Sequence, residues 1–173
     1  MANKLILKDV RLSFPALFHR ATFDGKEGKF EATALINKET QADLIAKIET
    51  IIEAECKDAK IKRPSPDKVC LRDGDHADYS GYEGMMSLKA ATNRRPTLIN
   101  RDKTPLAEDD NVLYAGARVN IIVDFWVQNN GFGKRVNCNL LGVQFFKDAE
   151  PFGAGDVDVT DEFDSLEDDT DDF

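Results

Sequence analysis

The chain has 173 residues, enough for one domain and a tail. Its net charge of −9 is concentrated, because residues 156–173 hold 10 of the 32 acids and none of the 23 bases, so residues 1–155 carry +1 and bulk acidity does not exclude a nucleic-acid partner. Three cysteines, Cys56, Cys70 and Cys138, with no C-x-x-C pair, exclude a disulfide framework and read as reduced intracellular thiols, while no apolar stretch nears the roughly 18–20 residues of a membrane span and "MANKLILKDVRLSF" lacks the features of a signal peptide, so a soluble cytoplasmic protein is expected.

In chain order, "LILKDVRLSF" predicts a strand over about 4–14, ended by Pro15. "HRATFDGKEGKF", with Gly25 and Gly28, reads as a loop or loose hairpin. A strand over 29–37 follows, in which Phe30, Ala32, Ala34 and Ile36 alternate with Lys29, Glu31, Thr33 and Asn37, and Leu35 is the misfit. A helix is predicted over about 41–57, capped by Thr40 with Asp43 three positions on. Leu44, Ile45, Ile48, Ile51 and Ile52 form its apolar stripe. Residues 58–83 read as irregular, punctuated by Pro64, Pro66, Gly74 and Gly81. "GMMSLKAA" (84–91) is a strand, and "RRPTLIN" a short one before the turn at "RDKTPLAEDDN". Two long strands, 117–128 and 134–146, are joined by "NNGFG", whose Asn and Gly residues suit a hairpin turn. Gly142 predicts a bulge or bend.

These elements predict a mainly β fold, an OB-fold-like small barrel of about five or six strands with one α-helix, over residues 1–155. Residues 156–173 are expected to form a disordered acidic tail, since they cannot bury enough apolar surface to order themselves. Eighteen flexible residues would span roughly 23 Å, against a radius of gyration of about 15 Å for such a body. Such a tail reaches around its own domain.

The most basic stretch, "KAATNRRPTLINRDK", carries Lys89, Arg94, Arg95, Arg101 and Lys103 against Asp102 alone, with Tyr79 and Tyr82 just upstream. Cations neutralise phosphates and rings stack on bases, the two needs of a single-strand binder. A solvated basic loop is the alternative. Trp126 falls on the more polar side of its strand with Asn120 and Asp124, a place for a stacking platform or for packing under a helix. Phe132 at the hairpin tip is a stacking ring or a loop anchor, and Lys134 and Arg135 add charge beside it.

Catalytic and metal motifs are weak. "DGDHAD" (73–78) fails the EF-hand pattern, because Asp78 and Gly84 stand where Gly and Glu are required. His19, His76 and the cysteines are too scattered for a zinc motif, and no P-loop or G-x-S-x-G occurs. The cysteines read as buried structural thiols.

Four stretches, "RLSFPALF", "LRDGD" leading to "GYEGMMSLKAATNRRP", "LYAGARVNIIVDFW" and "GVQFFKDAEPF", together resemble the phage-encoded single-stranded-DNA-binding proteins with an OB-fold, long catalogued as a domain of unknown function. The resemblance runs from about residue 5 to residue 153. It implies a protein that coats single-stranded DNA during phage replication and recombination, in the host cytoplasm, with no enzymatic activity and no cofactor. Similar proteins end in an acidic tail with a terminal aromatic, which "DDTDDF" matches. Asp168, Asp169, Asp171, Asp172 and Phe173 are then the residues that engage replication and recombination proteins. A monomer or weak dimer fits equally. Two rivals remain at this point. One is a protein-interaction or DNA-mimic module acting through the tail. The other is a metal-dependent nuclease built on Asp73, Asp75 and His76.

Overall fold

The computed structural model describes residues 4–152 except 78 and 80, and Phe23 only in its backbone. The tail 156–173, with Asp168, Asp169, Asp171, Asp172 and Phe173 and the disorder expected of it, lies outside the described residues.

Among the described residues nine strands and one α-helix follow in order: β1 (Lys4–Ala16), β2 (Thr22–Phe23), β3 (Lys26–Glu27), β4 (Phe30–Asn37), α1 (Ala42–Asp58), β5 (Leu71–Asp73), β6 (Met85–Thr92), β7 (Thr97–Ile99), β8 (Arg118–Asn130) and β9 (Gly133–Lys147). The main sheet has the order β5-β6-β4-β1-β8-β9-β7, and a parallel pairing of Ala91 with Asn139 joins β6 to β9. The strands β6, β4, β1, β8 and β9 thereby close into a five-stranded ring, the OB-type barrel expected from the sequence.

Alternation fills the barrel. Leu7, Val10 and Leu12 of β1, Ala32, Ala34 and Ile36 of β4, Leu88 and Ala90 of β6, Val119 to Phe125 at every second position of β8, and Val136, Cys138 and Leu140 of β9 form one buried core. α1 adds Ile48, Ile52 and Cys56 to that core. Leu35, the misfit of β4, is buried too, but lies apart from the main cluster, on the outer face.

Three expectations are corrected. Pro15 does not end β1. The strand runs on to Ala16 through a register shift between Ser13 and Ala16, and a bulge is where a strand tolerates the missing N–H. Thr40 does not cap α1. Gln41 holds the N-cap position without a side-chain cap; its Oε1 accepts from the Asn37 N–H and its Nε2 donates to the Lys8 and Asp9 carbonyls. The segment 58–83 is not wholly irregular, because β5 forms an edge strand on β6. Gly142 does mark a bulge. Ile122 faces Gly142 and Val123 faces Leu140, and β7 passes so close that a Cβ on Gly142 would lie 3.2 Å from the Thr97 carbonyl oxygen. Among the described residues, no helix is long and apolar enough to cross a membrane.

Candidate nucleic-acid interface

The barrel is not sealed evenly. Where β6 and β9 would meet, the residues leading into β5 are wedged between them. The Cys70 N–H donates to the Val136 carbonyl at 3.0 Å, and the Lys89 N–H donates to the Cys70 carbonyl at 3.1 Å. Val69 also bridges to Val136 in parallel. This splayed seam opens a groove of about 300 Å³ on the outer surface.

Outward-facing side chains from several strands and the turns beside them line the groove. β9 supplies Arg135, Asn137 and Asn139; β8 supplies Trp126 and Gln128; β6 supplies Lys89; and Lys29, Lys68 and Arg72 come from flanking turns and β5. Among the described residues, no carboxylate lines the groove. Five cations therefore face one channel, with Trp126 38% exposed beside them. Side-chain hydrogen bonds stiffen the floor: Asn139 Nδ2 donates to the Asp124 carboxylate at 2.8 Å and Asn137 Nδ2 to Gln128 Oε1 at 3.2 Å. Arg72 is fixed by donating to the Val69 and Asp67 carbonyls.

Arg72, Lys89 and Cys70 also line a second cleft of about 1050 Å³, so the two form one continuous surface. Its far end is aromatic. Phe14 and Tyr79 meet edge to face with ring centroids 4.8 Å apart, and Tyr82 lies 5.2 Å from Tyr79. Phe14 is 55% and Tyr79 53% exposed. Phe14 has φ 44°, a rare value for a bulky residue, and sits in the β1 bulge; bulges re-aim side chains, here outward beside Tyr79. Tyr82 is different. It is only 5% exposed, and its hydroxyl pairs with Ser13 Oγ at 2.7 Å, so it braces the exposed rings instead of presenting a face. Burial pushes its phenol above the ordinary tyrosine range.

The described acids of this cleft and its rim are engaged, Asp67 by accepting from Ser65 Oγ at 2.6 Å. Glu31 lies 3.1 Å from Lys89 Nζ. Lys38 Nζ reaches both Asp73 and Asp75 at 2.6 Å, which holds the two carboxyls below their ordinary range and raises the ammonium. Asp75 further accepts from the Gly84 N–H. The cluster read from "DGDHAD" is thus a clamp on the turn that precedes β6. Among the described residues no group of three acids, histidines or cysteines is placed to hold a metal ion.

The structure brings Lys89, Trp126 and Arg135 into one groove and Tyr79 and Tyr82 into the adjoining cleft. The other candidates lie elsewhere. Arg94 is exposed on the β6–β7 loop, and the Arg95 guanidinium lies 5.7 Å from the Phe18 ring centroid. Arg101 stacks over Phe146 at 5.3 Å and Lys103 is exposed in the following turn. Phe132 is 90% exposed at the β8–β9 tip, with Lys134 next to it. Lys29, Lys68, Arg72 and Phe14 were not singled out from the sequence. They come from segments far apart in the chain, and no local pattern marks them.

Cys56, Cys70 and Cys138 are free and buried. Burial, reinforced by the adjacent Cys70 thiol, pushes the Cys138 thiol well above its ordinary value, as expected of packing residues.

Comparison with known proteins finds relatives of the whole barrel. Residues 3–173 match the family model described as "Enterobacter phage Enc34, ssDNA-binding protein". A protein described as p50, of Acyrthosiphon pisum secondary endosymbiont phage 1, is 37% identical, over 94% of each chain. The single-stranded-DNA-binding protein of bacteriophage Enc34 superposes with a TM-score of 0.79 at 32% identity, over 94% of this chain and 91% of that one. The same protein solved in complex with single-stranded DNA gives 0.80 at 32% identity, over 88% and 90%. The gp2.5 protein of bacteriophage T7, at 11% identity with a TM-score of 0.60 over 91% and 99%, shares the fold. The chain belongs to the Enc34 family of phage single-stranded-DNA-binding proteins.

Proposed function

We propose that this protein coats single-stranded DNA, with little sequence preference, during phage DNA replication and recombination. The carrying observation is the basic groove along the β6–β9 seam, where Lys29, Lys68, Arg72, Lys89 and Arg135 converge around Trp126. Phosphates track the cations, one base stacks on Trp126, and the strand continues over Lys89 to Tyr79 and Phe14. Ring faces accept any base, which is why sequence preference is slight. The Enc34 relative, solved with single-stranded DNA, supports this reading. Arg94, Arg95, Arg101, Lys103, Lys134 and Phe132 lie outside the groove and contribute as a flanking field or as contacts at its ends.

The acidic segment 156–173 competes with DNA for the same cations. When DNA takes the groove, the segment is released, and Asp168, Asp169, Asp171, Asp172 and Phe173 are presented to a replication or recombination protein. A gel shift with a labelled oligonucleotide, with and without Mg²⁺, tests the reading. A shift without cleavage is expected. No shift would leave the interaction module through the acidic segment, and Mg²⁺-dependent degradation would indicate a nuclease.

A further inference from the structure

After β9 the residues Asp148–Phe152 fold back onto the barrel in a fitted seat. The Tyr114 hydroxyl accepts from the Ala149 N–H at 3.0 Å and lies 2.9 Å from Asp148 Oδ1. Arg11 donates through Nη2 to the Glu150 carbonyl and through Nε to the Gly116 carbonyl at 3.2 Å. Gly116, at φ 110°, runs so close beneath that a Cβ would lie 2.8 Å from Pro151 Cα. The Phe152 N–H donates to the Ala115 carbonyl at 3.0 Å.

This seat delivers the Phe152 ring to a defined place. The Arg11 guanidinium carbon lies 3.9 Å from its centroid. The ring also presses on Gly81, at φ 90°, where an added Cβ would overlap the ring edge, 3.1 Å from Cδ1 and 3.3 Å from Cζ. Gly81 lies between Tyr79 and Tyr82. Tyr79 belongs to no strand or helix, so the shape of its turn decides where its ring stands.

We propose that Phe152 is a positioning residue for single-strand binding: clamped by Arg11 and packed on Gly81, its ring sets the turn that presents Tyr79 to the aromatic cleft. The proposal rests on the DNA-binding reading above. It also fixes the root of the acidic segment. Asp156 is four residues on and can be at most about 14 Å from Phe152 along the chain, so the competing charge starts beside the aromatic end of the site.

The test is a titration of full-length wild type, Phe152→Ala and Phe152→Tyr with a dT oligonucleotide at several salt concentrations. Phe152→Ala is expected to bind about tenfold more weakly, the scale of one lost stacking contact. Its dependence on salt should match wild type, since no cation is removed. Phe152→Tyr should restore affinity, and adding Phe152→Ala to Tyr79→Ala should cost nothing further. Wild-type affinity in Phe152→Ala, a reduced salt slope, or additive losses in the double variant would overturn the proposal. If the alanine variant does not fold, Phe152→Leu, which keeps apolar volume but loses the flat ring, is judged by the same outcomes. Wild type that does not bind the oligonucleotide would sink the DNA-binding reading itself and the proposal with it.

Discussion

The Tyr82 hydroxyl lies 2.7 Å from Ser13 Oγ, and both groups are buried on the outer face of the barrel. This bond ties the turn before β6 to the bulge of β1, and so ties Tyr79 to Phe14. Tyr82→Phe leaves Ser13 buried without that partner and is expected to cost about 1–3 kcal/mol of stability. Affinity for DNA should change little, because the ring that braces Tyr79 remains. Tyr79→Ala should do the reverse, keeping stability and weakening binding by about 1–3 kcal/mol. Denaturant unfolding and oligonucleotide titration of both variants separate the two roles.

The seam groove makes an electrostatic prediction. On single strands the slope of log K against log salt is about −0.7 per phosphate neutralised. Lys68→Ala and Arg135→Ala should each flatten the slope by roughly 0.7 and weaken binding to all sequences alike. Arg101→Ala, whose guanidinium stacks on Phe146 away from the groove, should flatten it less.

Removal of residues 156–173 should tighten binding to a dT oligonucleotide, and most at low ionic strength, where charges act over the longest range. The truncated chain keeps every described residue of the barrel. Affinity that stays flat or falls at low salt would contradict competition by the acidic segment.

Lys38 sets a pH window. Asp73 and Asp75 are held below the ordinary carboxylate range by its ammonium, so their contribution is complete above the unfolded value of about 3.9 and disappears as pH falls through the lowered native values. The Lys38 pKa is raised by the same bonds, so its contribution is complete below about 10.4 and disappears as pH rises through the native value. Lys38→Met should therefore show a small Tm deficit between about pH 5 and 9 that vanishes at both extremes. The deficit is small because the groups are partly solvated. Thermal melts across pH check this.

Local pattern carried most of the fold. Val119 to Val127 alternate cleanly, "NNGFG" turns tightly, and the Ile stripe of α1 faces the core, because each burial is decided within one element. Pro15 misled because its usual meaning, a strand end, is overridden by a bulge that needs tertiary support from β4. β5 escaped notice because three residues carry no period. The candidate groove was legible only where single residues were unusual. Trp126 and Tyr79 stood out by type and are exposed. The contiguous run from Lys89 to Lys103 looked like one patch, yet the chain turns within it and sends only Lys89 to the groove. Lys29, Lys68 and Arg72 meet there through strand closure, which no linear spacing records.

In the proposed complex, single-stranded DNA lies in the seam groove against Trp126. Trp126 is the chain's one tryptophan, so its emission reports this site alone. Titration with a dT oligonucleotide should give saturable quenching, with affinity falling steeply as salt rises. An oligonucleotide that shifts the protein in a gel while leaving Trp126 emission unchanged would contradict binding in the seam groove.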